Sequence, residues 1–250
     1  MFFQIAGILF SYAPASDCVE RTLEPFAADA KSAQGLPGEP SPAKVTLPAA
    51  TVERYAQRTL AESPGIGRDL AESFGVMRSV NDAMLLHDGL FLHAAAVEVD
   101  GRGYAFCAPS GTGKSTHLRR WAELLGSRMA VINGDRPFLR RVRDTCYLCG
   151  SPWTGKEGWG ANRIAPLDAL VILERACGRR AHMERISGSD ALTPLLRQTI
   201  RPSDVGQLDA YCAFLDALLA QVPLYRLQCN DDLASARLSY ETLAAGGPRS

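Results

Sequence analysis

The chain has 250 residues, of which 46% are hydrophobic and 22% are charged, as in an ordinary globular protein. Its 27 basic residues balance its 27 acidic residues, so the overall charge gives no reason to expect binding to nucleic acid or to an anionic membrane. The seven cysteines are irregularly spaced, which favours reduced thiols. No apolar stretch reaches the roughly 18 residues of a membrane-spanning helix. We therefore expect a cytoplasmic protein.

Residues 1–85 predict a small α+β layer that helps to recruit a substrate. The apolar start lacks the basic residues of a secretion signal and is interrupted by Gln4, so it is interpreted as a strand. Residues 61–79 are ambiguous. The other predicted elements are a strand at 2–12, a helix at 19–29, a loop at 30–50 with a short strand at 45–47, and a helix at 51–60 capped by Thr51.

Residues 86–250 predict a larger domain in which strands and helices alternate. Apolar residues at 118, 121, 122 and 125 share one helical face, which predicts a helix over 114–125. A further helix is predicted at 208–219. Strands are predicted at 90–99, 104–107, 129–133, 170–174 and 224–227, with a turn at 100–103. The pattern predicts an α/β fold, and the hairpin before residue 108 predicts a mixed sheet.

The stretch "APSGTGKST", residues 108–116, predicts a phosphate-binding loop between a strand and a helix. Glycines let successive backbone amides point at phosphate oxygens, and the helix that follows directs its positive dipole end at the same anion. In this pattern Lys114 neutralises the β- and γ-phosphates, and the Ser115 hydroxyl is placed to ligate Mg²⁺. The usual first glycine is Ala108, a mild change where a small side chain is what matters. The predicted phosphate-binding residues are Ser110, Gly111, Thr112, Gly113, Lys114, Ser115 and Thr116.

Asp135 follows the predicted strand 129–133, one helix and one strand after the loop. A carboxylate in that place would ligate Mg²⁺ or accept a proton from a hydroxyl. The alternative is a turn aspartate after Gly134.

Together these features resemble the HPr kinase / phosphoenolpyruvate carboxykinase superfamily, and within it the HPr-kinase-like group. The resemblance rests on the loop, on the acid that ends the next strand, and on His93, which lies fifteen positions before Ala108. It covers about residues 90–173. Two features depart from the family pattern: Arg136 replaces the second of two adjacent acids, and "GSPWTGKEGWGAN", residues 150–162, replaces the downstream signature.

The resemblance implies a P-loop kinase core with a mixed sheet, which uses ATP and Mg²⁺ to phosphorylate a hydroxyl. The acceptor would be a serine of a protein or peptide, or a serine-like small molecule. His93 would lie beside the transferring phosphate and position the hydroxyl, while Asp135 takes its proton. A nucleotide-binding regulatory protein without turnover and a carboxykinase-like enzyme stay open as alternatives, as does assembly into a homo-oligomer.

Residues 150–162 are interpreted as a functional loop between strands. Lys156 is placed to reach the γ-phosphate as a second positive charge, and Trp153 or Trp159 to stack on a base or a peptide side chain. The alternative is a surface turn with its tryptophans anchored in the core. The arginines at 136, 140, 141 and 143 are expected on a solvated surface, with contact between Arg136, next to Asp135, and phosphate as the alternative at that position.

Overall fold

The structure is a computed structural model that describes residues 1–178 and 180–246. Arg179 and residues 247–250, which belong to the predicted domain 86–250, lie outside the described residues. Among the described helices, none is both long enough and apolar enough to cross a bilayer.

A three-stranded sheet begins the chain. It contains β1 (Phe2–Ile5), β2 (Ile8–Ser11) and β3 (Lys44–Thr46), with β1 antiparallel and β3 parallel to β2. The prediction of one strand over residues 2–12 is therefore wrong, because a tight turn divides it. Ala6 and Gly7 both have positive φ, of 51° and 74°, as a two-residue hairpin turn requires. A Cβ on Gly7 would lie 2.7 Å from the Leu36 backbone nitrogen.

Three helices accompany this sheet: α1 (Asp17–Leu23), α2 (Ala49–Glu62) and α3 (Arg68–Leu85). Helix α2 begins before Thr51, with Pro48 in the N-cap position, so the predicted Thr51 cap is wrong. The ambiguous segment belongs largely to α3. Its Gly75 lets the two helices pack closely, since a Cβ there would lie 2.5 Å from the carbonyl oxygen of Val52.

The second sheet has nine strands and is mixed, as predicted. Strand β10 is parallel to β6 and β12, and the other pairings are antiparallel. The main path runs β4-β8-β9-β10-β6-β5-β7, and β12 joins β10 to β11. The strands are β4 (Gly89–Phe91), β5 (Ala94–Val99), β6 (Arg102–Cys107), β7 (Met129–Asn133), β8 (Phe138–Val142), β9 (Thr145–Cys149), β10 (Ile164–Arg175), β11 (His182–Arg185) and β12 (Leu224–Cys229).

Residues 90–99, predicted as one strand, form two. Strand β4 pairs with β8, whereas β5 pairs with β6 and β7. Between β4 and β5 the chain leaves the pairing with β8 and enters the pairing with β6 and β7. There the Leu92 amide donates to Pro137 O at 3.0 Å, and the His93 amide donates to Gln198 O at 2.7 Å. His93 therefore lies in the short connection between β4 and β5.

Helices cover both faces of this sheet. They are α4 (Lys114–Leu125), α5 (Gly188–Leu196), α6 (Leu208–Gln221) and α7 (Leu233–Ala245). Successive strand residues point to opposite faces. In β5, Ala94 and Ala96 pack in the cluster that contains α5 and α6, whereas Ala95 and Val97 pack in the cluster that contains α4 and α7.

The small sheet packs against the large one. Phe3 and Phe10 share a buried cluster with Phe138 and Trp153, so side chains from both sides of residue 85 form one core. Division into domains at residues 85 and 86 stays a prediction. Arg140, expected on a solvated surface, is buried instead, and its side chain is only 5% exposed beside Glu39.

Candidate functional site

The glycine-rich loop, residues 108–113, connects β6 to α4. Gly111 and Gly113 have φ angles of +79° and +121°, which other residues rarely adopt. A Cβ at either position would meet nothing within 4 Å, so the requirement is backbone conformation and not space. Gly113 is the N-cap of α4, whose first amides point toward the loop. Ala108 is buried in the cluster beneath, which fits a small side chain.

Lys114 is the first residue of α4 and is buried, with 8% of its surface exposed. Its ammonium group donates to Ala108 O at 2.7 Å and lies 3.1 Å from Nε2 of His93. Burial lowers the pKa of Lys114, and the negative charge of Asp135 partly opposes that shift. Ala108 O takes one of the three donors of the ammonium group, and His93 Nε2 is close enough to take a second when it does not donate to Asp135.

Asp135 lies in a turn that Asn133 organises at the end of β7. The Asn133 side-chain oxygen accepts hydrogen bonds from the amides of Asp135, at 2.9 Å, and Arg136, at 2.6 Å. Its Nδ2 donates to Ser151 O at 3.0 Å. Sequence reasoning did not identify Asn133, although an asparagine at the end of a strand is a known signal for this type of turn.

The Asp135 carboxylate contacts a histidine and an arginine. Oδ1 lies 3.2 Å from His93 Nε2, and Oδ2 lies 3.2 Å from Arg136 Nε. Burial raises the pKa of Asp135, but the His93 hydrogen bond and the charges of Arg136 and Lys114 outweigh it, so the net pKa is lowered. The carboxylate is thus held in its ionised form at neutral pH.

Backbone contacts hold His93 and Asp135 together. The Ala94 amide donates to Asp135 O at 3.1 Å, while His93 N–H is fixed by Gln198 O at 2.7 Å. The three charged or polar side chains His93, Lys114 and Asp135, predicted separately, therefore form one continuous cluster.

The loop of residues 150–162 closes one side of the site. Gly134 N–H donates to Trp159 O at 2.8 Å. Gly155 has φ +69°, and a Cβ there would lie 2.8 Å from the Cβ of Asp135, so the loop packs directly on the acid. Trp153 is buried, and its indole N–H donates to Ser73 Oγ at 3.0 Å. The side chain is therefore anchored in the core, which is the alternative interpretation, and is not available to stack on a ligand.

These elements enclose a cleft of about 630 Å³, called here the phosphate cleft. Most of the predicted site residues line it: His93, Ser110, Gly111, Gly113, Lys114, Ser115, Thr116, Asp135 and Lys156. Thr112 does not line this cleft but lines a neighbouring cavity. Arg136, for which contact with phosphate was the alternative interpretation, also lines the cleft. Sequence reasoning missed two further arginines on the cleft wall, Arg119 and Arg175.

Arg175 ends β10 beside the glycine-rich loop. Its Nη2 donates to Gly111 O at 2.7 Å, and its Nε lies 3.4 Å from Thr112 O. A charged residue directly after a buried run of β-strand residues was the available signal. The guanidinium supports the loop from outside and adds positive charge to the cleft.

Within residues 1–178 and 180–246 there is no group of three or more His, Cys, Asp or Glu side chains able to hold a metal ion. Mg²⁺ commonly uses one or two protein ligands and completes its shell with waters and substrate phosphates. The Ser115 hydroxyl and the Asp135 carboxylate, both on the cleft wall, fit that type of site.

Comparison with known proteins shows a distant structural similarity. No protein-family model matches the chain, and no curated protein matches it. Among solved structures it is similar to the HPr(Ser) kinase/phosphatase from Coxiella burnetii, with 9% sequence identity and a TM-score of 0.36. The match covers 63% of this chain and 99% of that one. It describes a distant structural relationship, so a function must be inferred from the site itself.

Proposed function

We propose that this protein is an ATP- and Mg²⁺-dependent kinase that transfers the γ-phosphoryl group to a hydroxyl. The observation that supports it best is the juxtaposition of Lys114, His93 and Asp135 in one cleft beside the glycine-rich loop. A buried cation at a helix N-terminus suits a polyphosphate, and an ionised carboxylate close by suits a hydroxyl nucleophile.

The triphosphate would be bound by the loop amides, the N-terminus of α4 and Lys114. In the structure the Lys114 ammonium donates to Ala108 O and lies against His93. A phosphate in the cleft would accept from the ammonium group and would compete with His93 Nε2 for one of its donors. Lys156 and Arg175 would add positive charge around the oxygens of the transferring group.

Transfer would form a bond between the acceptor oxygen and the γ-phosphorus and break the bond between that phosphorus and the β,γ-bridging oxygen. Asp135 would accept a hydrogen bond from the acceptor hydroxyl, orient it, and take its proton as the new bond forms. ADP leaves with the bridging oxygen. Because a low-pKa carboxylate is a weak base, its main contribution would be orientation, with proton transfer late in the reaction.

His93 would act on both Lys114 and Asp135. One ring nitrogen, Nε2, lies within 3.2 Å of both Lys114 and Asp135, and it cannot accept from one and donate to the other at once. Once a phosphate engages Lys114, His93 is free to donate to Asp135 and keep that carboxylate facing the acceptor.

The magnesium ion would be held by Ser115 and Asp135. When bound, it would neutralise charge on the phosphate oxygens. The acceptor would be a serine of a protein or peptide, or a small molecule with a similar hydroxyl.

A second candidate is a nucleotide-binding regulatory protein without turnover. The observation that favours it is the contact of Arg136 with Asp135, at 3.2 Å, where the Arg136 guanidinium also lies 5.0 Å from the centre of the Phe74 ring. Held there, Arg136 would occupy one oxygen of the acid that catalysis needs.

The two candidates are separated by a transfer assay. Purified protein would be incubated with γ-labelled ATP and Mg²⁺, alone and with fractions of a cell extract. The kinase requires label in an acceptor that is lost in both Lys114→Ala and Asp135→Asn. Tight ATP binding with neither transfer nor hydrolysis in any fraction would favour the regulatory protein.

A further inference from the structure

An apolar groove of about 600 Å³ lies between helix α4 and the loop of residues 150–162. Trp159 is its aromatic residue and is only partly buried, unlike Trp121 and Trp153. The other apolar residues that line the groove come from α4 and β7: Leu118, Ala122, Met129 and Val131. Partly exposed apolar surface of this kind commonly marks a place where a protein binds a ligand or another chain.

The groove continues into the phosphate cleft at Arg119, which lines both. The Arg119 guanidinium lies 5.2 Å from the centre of the Trp159 ring, and its Nη2 donates to Glu157 Oε2 at 2.8 Å. The Arg119 side chain is still 53% exposed. A chain that extends from the groove to Asp135 therefore passes a solvent-accessible cation, which an acidic side chain of that chain would complement.

Strand β7 offers a free backbone edge beside the groove. Among the described strands it pairs with β5 alone, at the end of the strand path. On its other edge the loop pairs with the end of the strand, where Ala161 N–H donates to Ile132 O at 3.1 Å. Residues 129–131, which precede this pairing, are partly exposed. A strand edge that stays open can pair with an extended segment of another chain.

We propose that this groove binds a peptide segment of the phosphoryl acceptor, whose backbone pairs with β7 and whose apolar side chain packs against Trp159. An acidic side chain of the same segment contacts Arg119. The proposal rests on the proposed function and makes it more specific: the acceptor is a protein or peptide and not a small metabolite. A small molecule would fill only the phosphate cleft and would leave both the apolar groove and the strand edge unused.

Helix geometry sets the distance between the groove and the reacting hydroxyl. Ser115 lines the phosphate cleft, and Ala122 lines the groove about two turns further along α4. That separation is about 10 Å along the helix axis. An extended chain covers about 3.3 Å per residue, so the apolar residue should lie about three positions from the phosphorylated serine, with the acidic residue between them.

A set of synthetic peptides, each with a single serine, tests these requirements. The reference peptide carries a leucine about three positions from the serine and an aspartate between them, and it is made with the leucine on either side of the serine. In two matched peptides the leucine is replaced by glutamine, or the aspartate by lysine. With γ-labelled ATP and Mg²⁺, kcat/KM of the reference peptide in its better orientation should exceed that of each matched peptide by about tenfold, mainly through KM. Equal values would overturn the proposal.

Two variants test whether the peptide binds in this groove. Ala122 is exposed on α4, so Ala122→Glu puts a charge in the groove without disturbing the core. It should raise the KM of the reference peptide about tenfold and change that of the glutamine peptide much less. Ser127→Glu, exposed and outside the groove, is the matched control. Arg119→Glu should reverse the charge preference, so that the lysine peptide becomes the better substrate. An unchanged KM in Ala122→Glu would overturn the groove, and an unchanged charge preference in Arg119→Glu would overturn the role of Arg119.

Tryptophan fluorescence gives a test that does not depend on turnover. Trp121 and Trp153 are 0% and 5% exposed, so quenching by acrylamide reports mainly on Trp159. The reference peptide, made without tryptophan, should protect Trp159 from quenching, and the glutamine peptide should protect it less at the same concentration. No protection at a peptide concentration that saturates transfer would overturn the site. Transfer to a small molecule of a cell extract but to no peptide would overturn the peptide acceptor and leave the kinase in place. Failure to bind ATP would count against the proposed function itself.

Discussion

The Nε2 atom of His93 lies 3.2 Å from Oδ1 of Asp135. The same nitrogen is 3.1 Å from the Lys114 ammonium, so the histidine joins the cation of the glycine-rich loop to the acid at the end of β7. A ring nitrogen holds either a proton or a lone pair and can satisfy only one of these partners. We therefore expect the arrangement to respond to an anion that engages Lys114.

Replacing His93 tests this response. We expect His93→Ala to slow phosphoryl transfer by about 10-fold to 100-fold, because Asp135 loses a donor that orients it, while ATP affinity changes less than about threefold. Single-turnover rates and calorimetric affinities measure the two effects. His182→Ala is the control, since that histidine is exposed on β11 and outside the cleft. Equal losses in rate and affinity would contradict a role in orientation.

Replacing Asp135 tests the acid. Asp135→Asn keeps the shape but removes the charge, and transfer should fall by about 10²-fold to 10⁴-fold. The lowered pKa of Asp135 also has a consequence in the wild type: the carboxylate stays ionised even where an ordinary aspartate begins to gain a proton, so its titration should not reduce the rate anywhere between pH 5 and pH 8. Asp88→Asn, which alters a surface pair with Arg141, is the matched control. A rate that rises through this pH range with the ionisation of Asp135 would show that the pKa is raised and not lowered.

The two lysines of the cleft should differ in their effects. Lys114 is buried at the start of α4, so Lys114→Met should weaken ATP binding by about 100-fold or more. Lys156 is exposed on the part of the cleft wall formed by residues 150–162, so Lys156→Met should reduce the transfer rate by about tenfold with a smaller loss of binding. Affinity and single-turnover rate for each variant give the comparison. Identical profiles for the two variants would argue against separate roles.

His117 should make stability depend on pH. Burial lowers its pKa to about 4 from 6.5, so between these values the unfolded chain binds a proton that the folded chain does not. Stability is then present above pH 6.5 and is lost as pH falls, by roughly 2 kcal/mol between pH 7 and pH 5. Urea unfolding at pH 7 and pH 5 measures this loss in the wild type. In His117→Phe, the decrease in the free energy of unfolding between the two pH values should be smaller by roughly 2 kcal/mol. The same pH dependence in the variant as in the wild type would contradict a lowered pKa for His117.

The buried pair Arg140–Glu39 should stabilise the contact between the two sheets. The Arg140 guanidinium also donates to Ala6 O at 2.7 Å, and removing it leaves Glu39 without its cation. We expect Arg140→Met to lower the free energy of unfolding by about 3–5 kcal/mol, and Arg141→Met, whose surface pair is 30% exposed on the arginine side, by less than about 1 kcal/mol. Denaturant unfolding measures both. Similar losses would show that Arg140 is not effectively buried.

Several elements could be predicted from local pattern alone. Helix α4 begins and ends where the apolar spacing placed it, and β7 occupies the predicted residues. The glycine-rich loop adopts positive φ at Gly111 and Gly113, as its sequence suggested. Each depends on contacts between residues close in the chain. The strand predicted at 90–99 failed because its division depends on pairing with β8, a strand from elsewhere in the sequence.

In the candidate site, too, contacts between residues far apart in the chain were not predicted. Sequence reasoning named His93, Lys114 and Asp135 but could not measure their contact. It also placed Arg140 on the surface, although Glu39 and the first hairpin bury it. The burial of Trp153 likewise depends on Ser73 of α3, which the sequence left ambiguous.

The sequence by itself determined the local chemistry: a flexible loop of glycines, a lysine at a helix start, and an acid at a strand end. Tertiary structure decided which of these groups meet. Sheet register brings Asp135 to His93, and the parallel ends of β6 and β10 bring Arg175 to the carbonyl oxygen of Gly111. The physical reason is that backbone conformation responds to neighbours along the chain, whereas burial and charge pairing depend on residues that only folding brings together.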